Sequence, residues 1–401
     1  MGKFTDRDIK IGIGKEKISG TNSDVTADSL VDNVTSASPF SASMIGAQVV
    51  NTGTPATYSY ITAFVDAGTV TLNDDIFDAT PFTYEVAAPR GTQVAPGYWI
   101  PRRTFDFEDK ATIVVNEQGL GVLEDSCEAR VVSKWAEGSL NGVLRTKSVG
   151  LLLLNVFGEV ASATPYDSPD SSIYRHTFSV RTNHQHPSFT LAVEDEVEEV
   201  AYTLCMVKTL TITADLGEYV LFTADMISKK SETASPALTP AFVAEKNFAA
   251  GNITFKEAAT TATLAAATAV SIKTVEIVID KEIEKDDVLS SVDPDDMLNK
   301  SFKITLTITK NLTNYTYRDY FKSATPRSMR ITMEDSNAVA ETGGTEHPKL
   351  EMDLNQVYIT DWSTTKELDG IVTETLVAKA TFKIADSEMA QVILENLEDT
   401  Y

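Results

Sequence analysis

Apolar and polar side chains alternate one for one through run after run of this chain. Phe302, Ile304, Leu306 and Ile308 alternate with Lys303, Thr305, Thr307 and Thr309. The same pattern runs through Phe189, Leu191 and Val193, through Val220, Phe222, Ala224 and Met226, and through Val275, Ile277 and Ile279. It returns in Leu376, Ala378, Ala380, Phe382 and Ile384. Successive side chains of a strand point to opposite faces, so each run offers one apolar and one polar face. Threonine suits such a pleated, half-buried surface. The chain is therefore predicted to be mainly β and antiparallel, with one face of the sheet solvated or docked.

Helical segments are few. Ser148 is placed to cap a short helix over 149–157, with Gly158 closing it. A second short helix is predicted over 386–397, where Met389, Val392, Ile393 and Asn396 fall one turn apart. The Ala- and Thr-rich stretch 258–270 fits neither period. The polar segment 229–240, with two prolines, reads as an inter-domain connection. Residues 36–86 are poor in Lys and Arg and broken by NTGTP, DAGT and NDD, which reads as a small β module of hairpins. The expected organisation is an N-terminal arm (1–35), an inserted β module (36–92) and two further β domains (93–235 and 236–401), for a chain of 401 residues at about 150 per domain.

The division into two rests on an internal echo. PSFTLAVED (187–195) resembles PRSMRITMED (326–335), pairing Phe189 with Met329, Leu191 with Ile331, Val193 with Met333 and Glu194 with Glu334. A second alternating run follows each, VKTLTITAD and NQVYITD. Two strands that end in acids also look alike by chance. The echo therefore leaves two arrangements: one β fold carried twice, or one domain with a decoration.

Charge and composition exclude several functions. The chain has 58 acidic and 34 basic residues, a net charge of −24. That excess disfavours binding to nucleic-acid phosphates or an anionic membrane. The longest apolar run, VGLLLLNVF, is far short of the roughly 20 residues of a spanning helix, and the N-terminus has no apolar signal region. Two cysteines, Cys127 and Cys205, are too few for a disulfide framework and read as buried thiols.

No catalytic or metal constellation emerges. His176, His184 and His186 lie close in sequence, but no cysteine or carboxylate completes a ligand set, and Asn and Pro place the last two in a loop. Asp286, Asp287, Asp293, Asp295 and Asp296 crowd together without calcium-loop spacing and read as a solvated acidic loop. Gly12 and Gly14 lack the third glycine of a dinucleotide fingerprint and read as a turn. The sequons at Asn33, Asn252, Asn311 and Asn314 carry no weight in a Thr-rich chain without a secretory signal. No catalytic, cofactor-binding or metal residue is assigned, no cofactor is expected, and the chain is expected not to be an enzyme.

The order of features from Tyr98 to Lys229 resembles the tail tube protein of long-tailed bacteriophages. Those features are the strand at Trp99, Ile100 and Pro101, a strand ending near Gly138, the apolar helix ending at Gly158, the strand with His176 and Phe178, and Pro187, Ser188, Thr190 and Leu191. The arm IKIGIGKEKISGT also fits. The resemblance implies a tail-tube-type β-sandwich or barrel with short flanking helices, in a structural virion protein that polymerises into stacked rings, the conduit for DNA ejection. It implies self-association, contact with other tail proteins (tape measure, terminator, distal tail), DNA passing without specific binding, no membrane partner, and assembly in the host cytoplasm into the phage tail. Two tandem copies would let three chains build a pseudo-six-fold ring. The competing arrangement has six chains, with the C-terminal half outside. The alternative function is another virion β protein, a decoration or baseplate-proximal subunit. Which residues face a lumen is not legible in the sequence.

Overall fold

The computed structural model describes residues 6–401 apart from 24–25, 33–38, 54–55, 78–81, 88, 119–120, 122, 124–126, 162–163, 166–172, 336–346, 367 and 369. Asn33 and the 35/36 boundary lie outside the described residues. The chain is mainly β, as the alternation dictates, and its sheets are antiparallel.

In chain order the main elements of the first half are β1 (Lys10–Lys15), β2 (Glu108–Glu117), β3 (Cys127–Val143), α1 (Val149–Phe157), β4 (Tyr174–Val180), β5 (Phe189–Glu194), β6 (Glu199–Asp215), β7 (Leu221–Ser228) and β8 (Ser231–Thr233), with short strands such as Tyr98–Ile100 and Arg102–Phe105 beside them. Those of the second are β9 (Ile253–Ala258), β10 (Thr274–Asp280), β11 (Lys303–Asn311), α2 (Thr316–Ser323), β12 (Arg327–Glu334), β13 (Lys349–Thr365), β14 (Thr373–Ala380) and β15 (Ala390–Asn396), with a separate two-stranded hairpin of Ile283–Asp286 and Asp296–Asn299.

The halves pair their strands in the same way. One run of the sheet reads β2-β3-β7-β6 and continues directly into β10-β11-β14-β13. In each half the long fourth strand, 17 residues in both β6 and β13, also pairs along its first part with β5 or β12 and with β8 or β15. β1 pairs β5 as β9 pairs β12.

Even the irregularities coincide. Lys208 is bulged between Val207↔Met226 and Thr209↔Asp225, and Thr360 between Ile359↔Ala378 and Asp361↔Val377. A second bulge separates Phe189↔Cys205 from Leu191↔Tyr202, and Arg327↔Val357 from Met329↔Leu354. A bulge kinks a strand and fixes its register. These bulges match Leu191 with Met329, two residues away from the Phe189–Met329 pairing expected from the acidic ends. The parity of the faces is the same in both alignments, which is why the sequence could not tell them apart.

The apolar faces of both halves meet in one core that runs from Leu140, Leu210 and Phe222 to Ile277, Leu306 and Leu376. α1 lies inside it with all nine residues buried. Gly158 (φ 85°) ends the helix in the left-handed region, its N–H donating to Leu154 O. The N-terminal cap differs from expectation. The Ser148 side chain caps nothing on the helix. Glu245 Oε2 instead accepts from the backbone N–H groups of Lys147 (3.0 Å) and Ser148 (2.7 Å) and from the Ser148 hydroxyl (3.0 Å).

Further readings need correction. Residues 390–396 of the expected second helix form strand β15, which alternates buried Ala390, Val392 and Leu394 and is held between β13 and β4. Neighbours on both edges override a helical spacing. Gly12 and Gly14 lie inside β1 rather than in a turn. A Cβ on Gly12 would stand 2.7 Å from Pro96 Cβ, so the glycines admit the 95–96 segment against the strand. Within 229–240, Ser231–Thr233 is a strand. Between 258 and 270 the chain makes a short helical turn (Thr261–Thr263) and a two-residue strand (Ala269–Val270). Phe382 and Ile384, expected in a strand, lie beyond β14 and are exposed.

A separate six-stranded sheet holds Ile18–Asn22, Ser29–Val31, Gln48–Asn51, Thr57–Asp66, Thr69–Leu72 and Phe82–Val86. Two of its strands thus come from the first 35 residues. Its own core includes Val49, Ile61, Val70, Phe77 and Tyr84. It touches the main sheet's half through Gln48 Nε2, which donates to Val160 O (3.3 Å), and through Arg181, which lies 4.1 Å over the Tyr60 ring and donates to Gly46 O.

Candidate functional site: the open face of the doubled sheet

Over 209–215, 221–225, 274–280, 303–309 and 375–379 the strands of the eight-strand run bury one side-chain parity, and the other faces away from the core, half-buried or exposed. Toward one end, Leu204, Met206 and Ile227 of that other parity are instead buried in a small cluster with Ile283 and Met297. Threonine dominates it: Thr209, Thr211 and Thr213 on β6, Thr223 on β7, Thr274 on β10, Thr305, Thr307 and Thr309 on β11, and Thr375 on β14. Glu137, Asp225, Glu276, Asp280 and Asp361 carry negative charge there, and Lys303 and Lys379 positive charge. Burial pushes the Asp225 carboxyl up, aided by nearby Asp106. The face is hydroxyl-rich and mildly acidic, with carboxylates outnumbering ammonium groups, a poor surface for gripping phosphates.

Charged groups also stand on the buried parity. Lys310 follows Ile304, Leu306 and Ile308 in phase, and Glu374 precedes Leu376 and Ala378 in phase. Lys310 Nζ donates to Glu374 Oε1 at 2.9 Å, Trp362 Nε1 donates to Glu374 Oε2 at 2.8 Å, and the ammonium lies 4.9 Å over the Tyr317 ring of α2. The sequence reading missed both this cluster and α2. Charges at apolar phase on neighbouring strands were the available signal for the cluster. α2 has only one buried residue, Tyr317, and so no apolar stripe to announce it.

Two other buried ionisable groups tie elements together, Glu16 within the first half and Lys281 between the halves. Glu16 accepts from the backbone N–H groups of Gly91 and Leu204 and from the Ser188 hydroxyl, and burial pushes its carboxyl up against those bonds. Lys281 Nζ donates to Asn155 O (2.7 Å) on α1, and burial drives its ammonium well below the usual range.

The three histidines do not converge. His176 is buried on β4 with Nε2 2.8 Å from Glu398 O. His184 lies in the following loop with Nδ1 2.7 Å from Asn299 O. His186, in the same loop, is buried against the Val156 and Arg181 carbonyls. Among the described residues no group of three or more His, Cys, Asp or Glu gathers as metal ligands do. The acidic loop is less solvated than expected: Asp296 pairs with Arg90, Asp293 with Lys230 (2.8 Å) and Asp287 with Lys285 (3.3 Å). Cys205 is a buried free thiol, pushed up by burial. The Cys127 side chain lies outside what is described.

The family model of the phage tail tube protein matches residues 127–380, from the first residue of β3 to the last of β14. The chain belongs to that family. The match therefore takes in most of both halves, including all of the open face except β2. No curated protein matches the chain. As a phage tail tube protein it is a structural component of the virion tail. Among the described residues no helix is long and apolar enough to cross a membrane.

Proposed function

We propose that this tail tube protein polymerises into stacked rings, each built from three chains, whose joined open faces line the channel through which DNA leaves the virion. The observation that supports three chains is the repetition of strand order and bulges in β2-β3-β7-β6 and β10-β11-β14-β13. Each chain then supplies two of six similar positions, as domains spanning about 93–235 and 236–401. Covalent linkage keeps the second position beside the first at high effective concentration. A threonine-rich, mildly acidic wall lets a polyanion slide without sticking. The role is mechanical, with no catalysis and no cofactor, and assembly takes place in the host cytoplasm together with other tail proteins. The small six-stranded module stands on the outside of the ring, because a channel wall has no room for it.

Electron microscopy tests both levels of this reading. Purified protein or virions should show hollow tubes. A reconstruction should place three copies of Pro187 per ring alternating with three of Pro326. Six copies of Pro187 in one ring would overturn the three-chain reading.

A further inference from the structure

Within the chain, one half joins the other by a defined seam. β6 pairs with β10 from Thr209↔Asp280 through Thr211↔Val278 to Asp215↔Thr274. The strands that correspond to β10 and β6 at the two ends of the sheet are β2 and the later part of β13. Among the described residues neither carries a neighbour on its outer edge. β2 pairs only with β3. β13 has β12 on one side only as far as Val357, and from there to Thr365 only β14, on the other side.

The bulges fix which residues correspond. Asp361 follows bulged Thr360 as Thr209 follows bulged Lys208, so Ser363 stands for Thr211. Met226 and Ala378 occupy equivalent sites, and they face Gly138 on β3 and Leu306 on β11. One residue before these, Glu137 faces Glu108 and Thr305 faces Val278. Glu108 therefore stands for Val278, and Lys110 for Asp280.

Resting on the ring reading above, we propose that the seam between chains repeats the seam within the chain: residues 361–365 of β13 pair antiparallel with 106–110, the start of β2 and the two residues before it, in a second copy. Asp361 then lies opposite Lys110, and Ser363 opposite Glu108. Opposite charges directly across an antiparallel pair favour this register over its neighbours. Both residues of the Asp361–Lys110 pair lie on the open-face parity, like Thr209 and Asp280 in the internal seam. Among the described residues of the isolated chain, Lys110 reaches only its strand neighbour Glu108, at 3.1 Å. The seam also has a natural stop. β2 and β3 slip register between Thr112 and Ile113, just past Lys110, and a bulge there turns the rest of the hairpin away. Repeating one seam at every junction leaves no open sheet edge in the ring, the usual hazard of an exposed strand.

A paired-cysteine variant, D361C/K110C, tests the register. In assembled tubes under mild oxidant its chains should cross-link into closed covalent rings. The single variants and the off-register pair D361C/T112C should run as monomers, which also controls for Cys127 and Cys205. The charge reversal D361K should reduce assembly by at least tenfold, and D361K/K110D should restore it. Hollow tubes whose D361C/K110C chains stay monomeric, or cross-link through residue 112 instead, overturn the seam while leaving the ring reading intact. Failure of the unmodified protein to form tubes removes both. Should the variants misfold, a reconstruction of the unmodified tube decides: a strand other than 106–110 beside 361–365 overturns the proposal.

Discussion

Lys310 and Glu374 form an ion pair, 2.9 Å from nitrogen to oxygen, between two side chains that are 5% and 0% exposed. Taking one partner from such a pair leaves the other charge buried and uncompensated, which costs about 3–5 kcal/mol. Lys310→Met should destabilise the monomer by that order in urea denaturation. The double variant Lys310→Met/Glu374→Leu should lose markedly less. Equal losses in the two would show that the Trp362 and Tyr317 contacts, not the charge pair, hold this corner.

Burial pushes His176 down to about 4 from its usual 6.5. Between those values the unfolded chain takes up a proton that the folded chain refuses. The His176 contribution is therefore complete above pH 6.5 and is lost as pH falls toward 4, with a slope of up to about 1.4 kcal/mol per pH unit. His186, pushed down to about 3 by burial and then by nearby Lys281, acts in the same sense. Against the wild type, His176→Gln should show a shallower loss of stability between pH 6.5 and 4. Parallel pH profiles would rule this out.

Beyond the bulge at Val132, which falls between the Thr112 and Ile113 pairings, the β2–β3 hairpin presents Ile113, Val114 and Val115 at 59%, 51% and 51% exposure. Apolar residues grouped on both sides of a protruding hairpin mark a protein contact. Val114→Glu should leave the thermal unfolding of the monomer unchanged to within about 0.5 kcal/mol while reducing tube yield in sedimentation. Normal yield would show that the arm stays in solvent.

The outer module can be removed at a defined place. Ile18 stands opposite Val86 in an antiparallel pair, so the ends left by deleting 18–86 lie about 5 Å apart. A two-residue glycine turn bridges that gap and leaves Glu16 with its partners Ser188 and Leu204. The shortened chain should still form tubes, of smaller outer diameter by electron microscopy. Loss of tubes from a folded deletion variant would place the module in the ring contact.

The strands were legible because burial on one face imposes a period of two, and the paired halves preserve it. α1 was legible because a nine-residue run, apolar but for Asn155, leads into Gly158. Three features escaped for physical reasons. β15 has a spacing that suits both periods, and its neighbours 349–354 and 174–179 decide it from far along the chain. α2 is polar. Glu245, which caps α1, lies nearly a hundred residues from Ser148 and has no local signature. The open face was half-legible: the threonine parity is plain in 303–309, but which strands share that face depends on the pairing order.

β15 has a consequence for how the chain comes into being. It belongs to the second half through β13, yet it also pairs with β4 of the first, from Tyr174↔Asn396 to Ser179↔Gln391. The first half cannot complete its sheet until residues translated more than two hundred positions later have left the ribosome. Such distant pairings slow folding, so each nascent copy passes through a stage in which neither half is finished and neither can join a ring. Cleavage in the exposed 236–246 segment of the finished protein should accordingly leave two fragments that copurify without denaturant and separate only when both unfold together.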